Sequence, residues 1–252
     1  MKWLTAARDL KRRKARERNG LFVAEGVRTV EELARSPLTI EAALFTERAA
    51  NDMRAGMVVR AFEARGVPVF AVTDAEFESA ADTEHPQGII AIARQPQQTL
   101  GALVPRDAMR LLVLDGIQDP GNVGTLLRTA AALDATAVVA LPGTVDVWNA
   151  KVVRSAVGAH FRLPAIEAPA GDLLAYLDEH GIVLWGTAAD GTPVDAATPP
   201  AWLAIAVGNE GAGLSDALRA RCSTVVSLPM SPHVESLNVA VAAGITLYAL
   251  RP

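Results

Sequence analysis

Asn122 and Arg128 are the residues of this chain whose types and setting best suit work on another molecule. They lie in the run Asp119-Pro120-Gly121-Asn122-Val123-Gly124-Thr125-Leu126-Leu127-Arg128. A carboxamide both donates and accepts hydrogen bonds, and a guanidinium is a planar fork of donors that matches the oxygens of a phosphate. The run follows the apolar Leu111-Leu112-Val113-Leu114 and opens a helical pattern through Leu133, so it reads as strand, tight loop, helix. Its glycines let the backbone bend and let a ligand approach closely. Six residues apart, Asn122 and Arg128 do not share one helical stripe, yet both can border the same loop. Taken alone, the segment is equally well explained as a Pro-Gly turn followed by an amphipathic helix with an exposed arginine.

Two later blocks add polar groups. Val207-Gly208-Asn209-Glu210-Gly211-Ala212-Gly213-Leu214-Ser215 carries Glu210 between glycines, and Leu228-Pro229-Met230-Ser231-Pro232-His233-Val234-Glu235-Ser236-Leu237-Asn238-Val239-Ala240 carries Ser236 and Asn238. In this order the three blocks resemble the motifs of the SpoU (TrmH) family of RNA ribose 2′-O-methyltransferases, of the SPOUT class. A fourth stretch, Lys151-Val152-Val153-Arg154-Ser155-Ala156-Val157-Gly158-Ala159-His160-Phe161-Arg162-Leu163-Pro164, fits as well. The resemblance covers residues 108 to 250. One departure is Asp134, where the family usually has Gly closing the first helix; Asp tolerates a left-handed backbone better than most residues.

The resemblance implies methyl transfer from S-adenosylmethionine, a reaction in which position and orientation supply much of the gain. On the acceptor side it points to Asn122, Arg128, Glu210, Ser236 and Asn238. Arg128 matches the arginine usually proposed as base for the 2′-hydroxyl, although a guanidinium, with a reference pKa of ~12.5 or more, is normally always protonated. Bidentate binding of the phosphate beside the target ribose is its firmer role. Gly208, Leu228 and Leu237 align with cofactor-contacting positions. Thr187, at a strand end, joins them, Met230 adds an apolar wall, and Leu141 closes another strand nearby. Ser236 also reads as a helix N-cap, and Asn238 as a residue bonding the loop backbone. Glu210 reads alternatively as a surface residue of a Gly-rich turn. Lys151 and Arg154 are expected to contact RNA, with a solvated helix face as the alternative. His85, His160 and His233 show no spacing that suggests a metal or a triad, so no metal is expected, and His160 beside Phe161 reads as structural. A dinucleotide-dependent oxidoreductase would want Gly-x-Gly-x-x-Gly after the strand at 111–115, which is missing. A non-catalytic RNA-binding relative would not need the intact polar set. Ribosomal RNA, 23S type, is the expected substrate, with tRNA as the alternative.

Composition bounds the rest. The 252 residues carry a formal net charge of −4. Residues 1–20 hold Lys2, Arg8, Lys11, Arg12, Arg13, Lys14, Arg16 and Arg18, leaving 16 basic against 26 acidic residues elsewhere, a balance of −10. A basic arm on an acidic body suits phosphate contact, with Arg12 and Arg13 as candidates; a solvated helix or solubilising tail is the alternative. Cys222 is the only cysteine, which excludes an intrachain disulfide and a cysteine-rich zinc site. No uncharged apolar stretch reaches the ~18 residues of a membrane span, and the N-terminus lacks the apolar core of a signal peptide. A cytoplasmic protein is expected.

The elements that must hold these residues form an α/β chain. Residues 1–94 read as a small α/β substrate-binding domain: a basic helix ending near Asn19-Gly20, strands at 21–24, 40–46, 67–72 and 88–93, and helices at 26–35, 47–65 and 74–81. Phe22-Val23-Ala24-Glu25-Gly26 and His85-Pro86-Gln87-Gly88-Ile89 resemble the domain that precedes the catalytic one in many SpoU enzymes, which looks like a ribosomal-protein RNA-binding fold. Residues 95–107 read as a linker. In residues 108–252, strands at 111–115, 136–141, 182–187, 202–207 and 224–228 alternate with helices near 122–133, 149–159, 171–180 and 236–249. Such apolar strands suit a parallel sheet covered on both faces. The resemblance further implies a C-terminal trefoil knot, which no periodicity can show. It also implies a homodimer formed by the C-terminal domain, for which the Ala- and Val-rich last helix is suited.

Overall fold

The computed structural model describes residues 1–231, 233–234 and 236–251. The chain divides into two compact units, one of residues 1–97 with 148–162, the other of 98–147 with 163–252. In chain order the elements of the first ninety-odd residues are α1 (Lys2–Asp9), α2 (Arg13–Asn19), β1 (Leu21–Glu25), α3 (Val27–Ala34), β2 (Ile40–Thr46), α4 (Glu47–Asn51), α5 (Met53–Ala64), β3 (Val69–Val72), α6 (Asp74–Ala80) and β4 (Ile89–Arg94). The sheet order is β1-β4-β2-β3, with β4 antiparallel to both neighbours and β2 parallel to β3.

The basic N-terminal segment is no loose arm. Leu4, Ala7 and Leu10 are buried in a core with Leu44, Phe77, Ile90 and Ile92. The expected single helix is broken in two because Arg16, itself buried, turns back to donate to the carbonyls of Leu10 and Lys11 at 2.7 and 2.9 Å. Lys11 closes the end of α6 through the carbonyl of Ala81 at 2.6 Å, and Arg8 bonds Ser79. Several of the eight cations are therefore spent on folding. The helix expected over 47–65 is likewise two, split at Asp52, whose carboxylate caps α5.

The second sheet is built from β5 (Met109–Asp115), α7 (Pro120–Ala132), β6 (Ala137–Ala140), α8 (Ala150–Ser155), β7 (Ala165–Glu167), α9 (Ala170–His180), β8 (Val183–Pro193), β9 (Trp202–Gly208), α10 (Asp216–Arg219), β10 (Thr224–Ser227) and α11 (Val239–Ala249). Its order is β10-β8-β9-β5-β6-β7 and every pairing is parallel. All seven residues of β5 are buried, as the continuous apolar run requires of a central parallel strand. Asp134 stands at φ 54, the left-handed turn its type allows. The short β7 was not foreseen, because three residues carry no periodicity.

The helix expected over 149–159 is short and belongs by packing to the first unit, not to residues 108–252. Trp148 and Phe161 pack on Phe22 of β1 with ring centroids 4.7 and 5.5 Å apart. His160, fully buried, lies 4.6 Å from Trp148, and neither of its ring nitrogens has a hydrogen-bond partner. Burial pushes its pKa down to about 3, so the ring is neutral. In the same unit Arg154 pairs with Asp82 and approaches the buried Glu25. Glu25 also accepts from the Asp82 N–H and the Thr83 hydroxyl, while Gln87 caps α3 through the Val27 N–H. The sequence blocks at 22–26 and 85–89 meet directly where the Gly26 N–H donates to the Ile89 carbonyl at 3.1 Å. No helix among the described residues is long and apolar enough to cross a membrane.

Candidate active site

The polar residues of the second unit gather where parallel strands end. Asp115 at the end of β5 sits in register with Gly208 at the end of β9, and crevices beyond such strand ends are where open α/β sheets hold ligands. After β5, Asp119 caps α7 by accepting the Asn122 N–H at 2.8 Å, with Pro120 in the first turn, so Asn122 is held at the helix start. After β9, Asn209 shapes the glycine loop. Its Oδ1 accepts from Gly211 and Ala212, each at 3.0 Å, and its Nδ2 donates to the Gly116 carbonyl at 2.8 Å. The loop closes so tightly that a Cβ on Gly208 would lie 2.1 Å from the carbonyl carbon of Gly213. Asp115 holds the far side of the loop through the Ser215 N–H at 2.7 Å.

A single hydrogen-bonded chain joins the three blocks. Asn238 Nδ2 donates to Asn122 Oδ1 at 2.9 Å, and Asn122 Nδ2 donates to Glu210 Oε1 at 3.0 Å. Glu210 also accepts from the N–H groups of Asp119 and Gln118 at 3.2 and 3.3 Å. Partial burial works against the ionised form of Glu210, but the Asn122 amide and these N–H groups outweigh it and hold the carboxyl below its ordinary pKa. An ionised carboxylate only accepts, so it orients Asn122, and Asn122 in turn orients Asn238. Asn238 Oδ1 is itself used, capping α11 through Ala240 and Val241 at 2.9 and 3.3 Å. The amide hydrogens that the chain leaves over can meet an acceptor oxygen.

Beside the chain lies a cleft of about 340 Å³. Gly208, Glu210, Ser236, Leu237 and Asn238 line it, as do Thr187, Leu228 and Met230. One sequence reading is corrected here. Ser236 is not the N-cap, because α11 begins at Val239 and Asn238 holds that place. Leu141 follows directly on β6, as its sequence suggests, and lies in the core of the sheet. Arg128 stands exposed on α7 and forms no hydrogen bond or ion pair among the described residues. Lys151 and Arg154 fall in the first unit, Lys151 exposed and Arg154 paired with Asp82. Arg12 and Arg13, also there, are exposed and pair with Asp9 and Glu17.

Several lining residues escaped the sequence reading. Ala188 and Ala189 contribute because β8 runs on to Pro193, through an Asp190-Gly191 pair that reads as a turn. Val239, Ala242 and Thr246 contribute one face of α11. Asn209 was legible in principle, since Asn before a glycine pair favours a side-chain-closed turn.

Two solved structures with this architecture are methyltransferases. The SpoU methyltransferase AviRb from Streptomyces viridochromogenes, in complex with AdoMet, superposes with a TM-score of 0.88 at 28% identity, covering 98% of this chain and 96% of that one. An AdoMet-bound rRNA methyltransferase from Sinorhizobium meliloti gives 0.86 at 25% identity, covering 98% and 93%. Fold and site together define a methyltransferase of the SPOUT class. The sequence narrows this: residues 109–248 match the SpoU rRNA Methylase family, and the chain belongs to that family. Residues 4–91 match the MRM3-like substrate binding domain. Among relatives, the 23S rRNA (guanosine(2553)-2′-O)-methyltransferase RlmP of Bacillus subtilis is 35% identical over 97% of this chain and 94% of its own length.

Proposed function

We propose that this chain methylates a ribose 2′-hydroxyl of 23S ribosomal RNA, using S-adenosylmethionine, as a cytoplasmic homodimer. The observation that carries the reading is the chain Asn238–Asn122–Glu210, which brings the three sequence blocks to one edge of the cleft. The names of the relatives, 23S rRNA 2′-O-methyltransferases, support the substrate. Among its described lining residues the cleft has apolar walls at Val226, Leu228, Met230 and Leu237 and no Lys, Arg or His, and Glu210 is the one charged group. That lining fits an adenosyl group and does not repel a sulfonium. When bound, S-adenosylmethionine supplies an electrophilic methyl group. Gly208, Leu228, Met230 and Leu237 hold the adenosyl part, together with Thr187, which lies within β8 and not at its end.

On the acceptor side, Asn122, Glu210, Ser236 and Asn238 place the ribose hydroxyl. Arg128, which pairs with no side chain among the described residues, binds the adjacent phosphate bidentately and so fixes the ribose beside it. In the first unit Arg12, Arg13 and Lys151 are exposed to contact RNA. Arg154, already paired, contributes by holding Lys151's helix in place. A division into RNA binding by residues 1–94 and catalysis by residues 108–252 belongs to the same reading. It is supported by the separate family matches, while residues 148–162 pack with the first part. A trefoil knot is supported by the order of the sheet: the chain leaves β9, reaches the far edge at β10, then returns α11 against α7 and β9. The dimer is supported by Val241, Ile245 and Tyr248, 46–57% exposed along one face of α11.

Incubating the protein with ribosomal RNA and methyl-labelled S-adenosylmethionine tests the function. Digestion should yield an alkali-resistant dinucleotide without added metal; a methylated base, or no transfer to any ribosomal RNA, refutes it.

A further inference from the structure

Arg110 lies on the central strand β5, far along the strand from the cleft, and is 4% exposed. Its guanidinium faces no carboxylate among the described residues. Instead Nε donates to the carbonyl of Leu250 at 2.7 Å, and Nη1 donates to the carbonyls of Ala201 at 2.7 Å and Met109 at 3.0 Å. Burying a cation is costly, so its position calls for a reason. Leu250 is the C-cap of α11 and is fully buried. A helix ends in unpaired carbonyls at its negative pole, and a guanidinium there satisfies both.

The other end of the same helix is the site. Asn238 caps α11 and donates to Asn122, and Val239, Ala242 and Thr246 line the cleft. Over 11 residues, at ~1.5 Å each, the helix spans about 16 Å and moves as a rod. Along its length it is seated on α7, where Gly244 faces Thr129 closely enough that an added Cβ would lie 3.2 Å from the threonine methyl.

We infer that Arg110 is a positioning residue: it anchors the C-terminal end of α11 and thereby sets where Asn238 and the α11 wall of the cofactor cleft stand. The inference rests on the methyltransferase reading for the identity of the ligand, but its geometry does not depend on it. Residues with small side chains dominate α11 between its two anchors, so sliding along its axis meets little interlocking resistance. The polar bonds at its ends therefore fix its register. An arginine suits this better than a lysine because its donors are set in a rigid plane.

The test compares the full chain with Arg110→Met, which keeps an apolar stem, and Arg110→Lys, which keeps the charge. Affinity for S-adenosylhomocysteine is measured by calorimetry, and hydrogen exchange is followed at the first-turn amides of α11, well below the melting temperature. Arg110→Met should weaken S-adenosylhomocysteine binding about ten-fold and speed exchange at Ala240 to Ala242, a coupling size typical of remote positions; Arg110→Lys should fall between. A merely structural role lowers the melting temperature but leaves both readings of the folded protein within two-fold of the parent, and that result overturns the inference. If the methionine variant does not fold, the lysine variant is judged in the same way: a lowered melting temperature with parental affinity and exchange refutes the proposal. Failure of the parent itself to bind S-adenosylhomocysteine sinks the methyltransferase reading instead, so the two failures are distinguishable.

Discussion

His160 makes the stability of the protein depend on pH in a way that can be worked out from its surroundings. The imidazole is fully buried beside Trp148 and Phe161, with no partner at either nitrogen and a folded pKa of about 3. In the unfolded chain it titrates near the ordinary value of ~6.5. Above that value the ring is neutral in both states and contributes no pH dependence. As pH falls below it, the unfolded chain binds a proton that the folded chain refuses, so stability is lost down to about pH 3. The slope approaches about 1.4 kcal/mol per pH unit, which amounts to about 2 kcal/mol between about pH 7.5 and about pH 5. Most of that figure is set by the unfolded pKa, because the folded value lies far below the window. His160→Leu keeps a similar volume and removes both nitrogens. Its stability at the higher pH should match or exceed the parent's, since two unpartnered polar atoms are gone. At the lower pH its advantage should widen by about 2 kcal/mol. Urea unfolding of both proteins at the two pH values measures the change. Parent and variant curves that fall in parallel would refute the reasoning, because the proton taken up on unfolding would then belong to other groups.

Arg128→Ala should lower turnover by about a hundred-fold or more while S-adenosylhomocysteine affinity stays within a few-fold, and Arg128→Lys should also be poor; normal turnover of the alanine variant removes Arg128 from the site. Glu210→Ala strips the acceptor from Asn122 and two backbone N–H groups, and should cost about 1–3 kcal/mol of stability together with most activity, read by melting and by methyl transfer. Because Leu4, Ala7 and Leu10 are core residues, deleting residues 1–18 should unfold the first unit and cannot report on RNA alone. Replacing Arg12, Arg13 and Lys14 with Ala should instead keep the fold and flatten the slope of log RNA affinity against log salt by about 2 to 3, and an unchanged slope would show that these cations make no phosphate contact. Val241→Glu with Ile245→Glu should turn a dimer in light scattering into a monomer; a parent that is already monomeric at micromolar concentration excludes the α11 interface.

Much of this molecule was decided by local order along the chain. The apolar run at 111–114 is short and unbroken and is followed by the Asp-Pro-Gly turn signal, which fits a buried parallel strand. The Asp119-Pro120 start sets a capped helix after it, and Asp134 takes the left-handed turn that ends it. The resemblance drew 122, 128, 210, 236 and 238 together as one polar group, whereas their types alone fitted a capped helix with an exposed arginine and a Gly-rich turn equally well. Tertiary structure decided what those residues are joined to. Asn238 meets Asn122 across 116 positions of chain, and only the packing of α11 on α7 sets that distance. The same holds for the cations of the first twenty residues. By type they suit phosphate, but Lys11 was claimed by a carbonyl that only the folded domain brings near it, and Arg16 by carbonyls five and six residues back. Arg154 was claimed in the same way by Asp82. The division of 148–162 from its sequence neighbours has the same cause. An aromatic cluster forms where rings can meet, and the partner of Trp148 and Phe161 is Phe22, more than a hundred residues away. Periodicity reports which face of an element is apolar, and the choice of the surface that covers it is made only when the whole chain has folded.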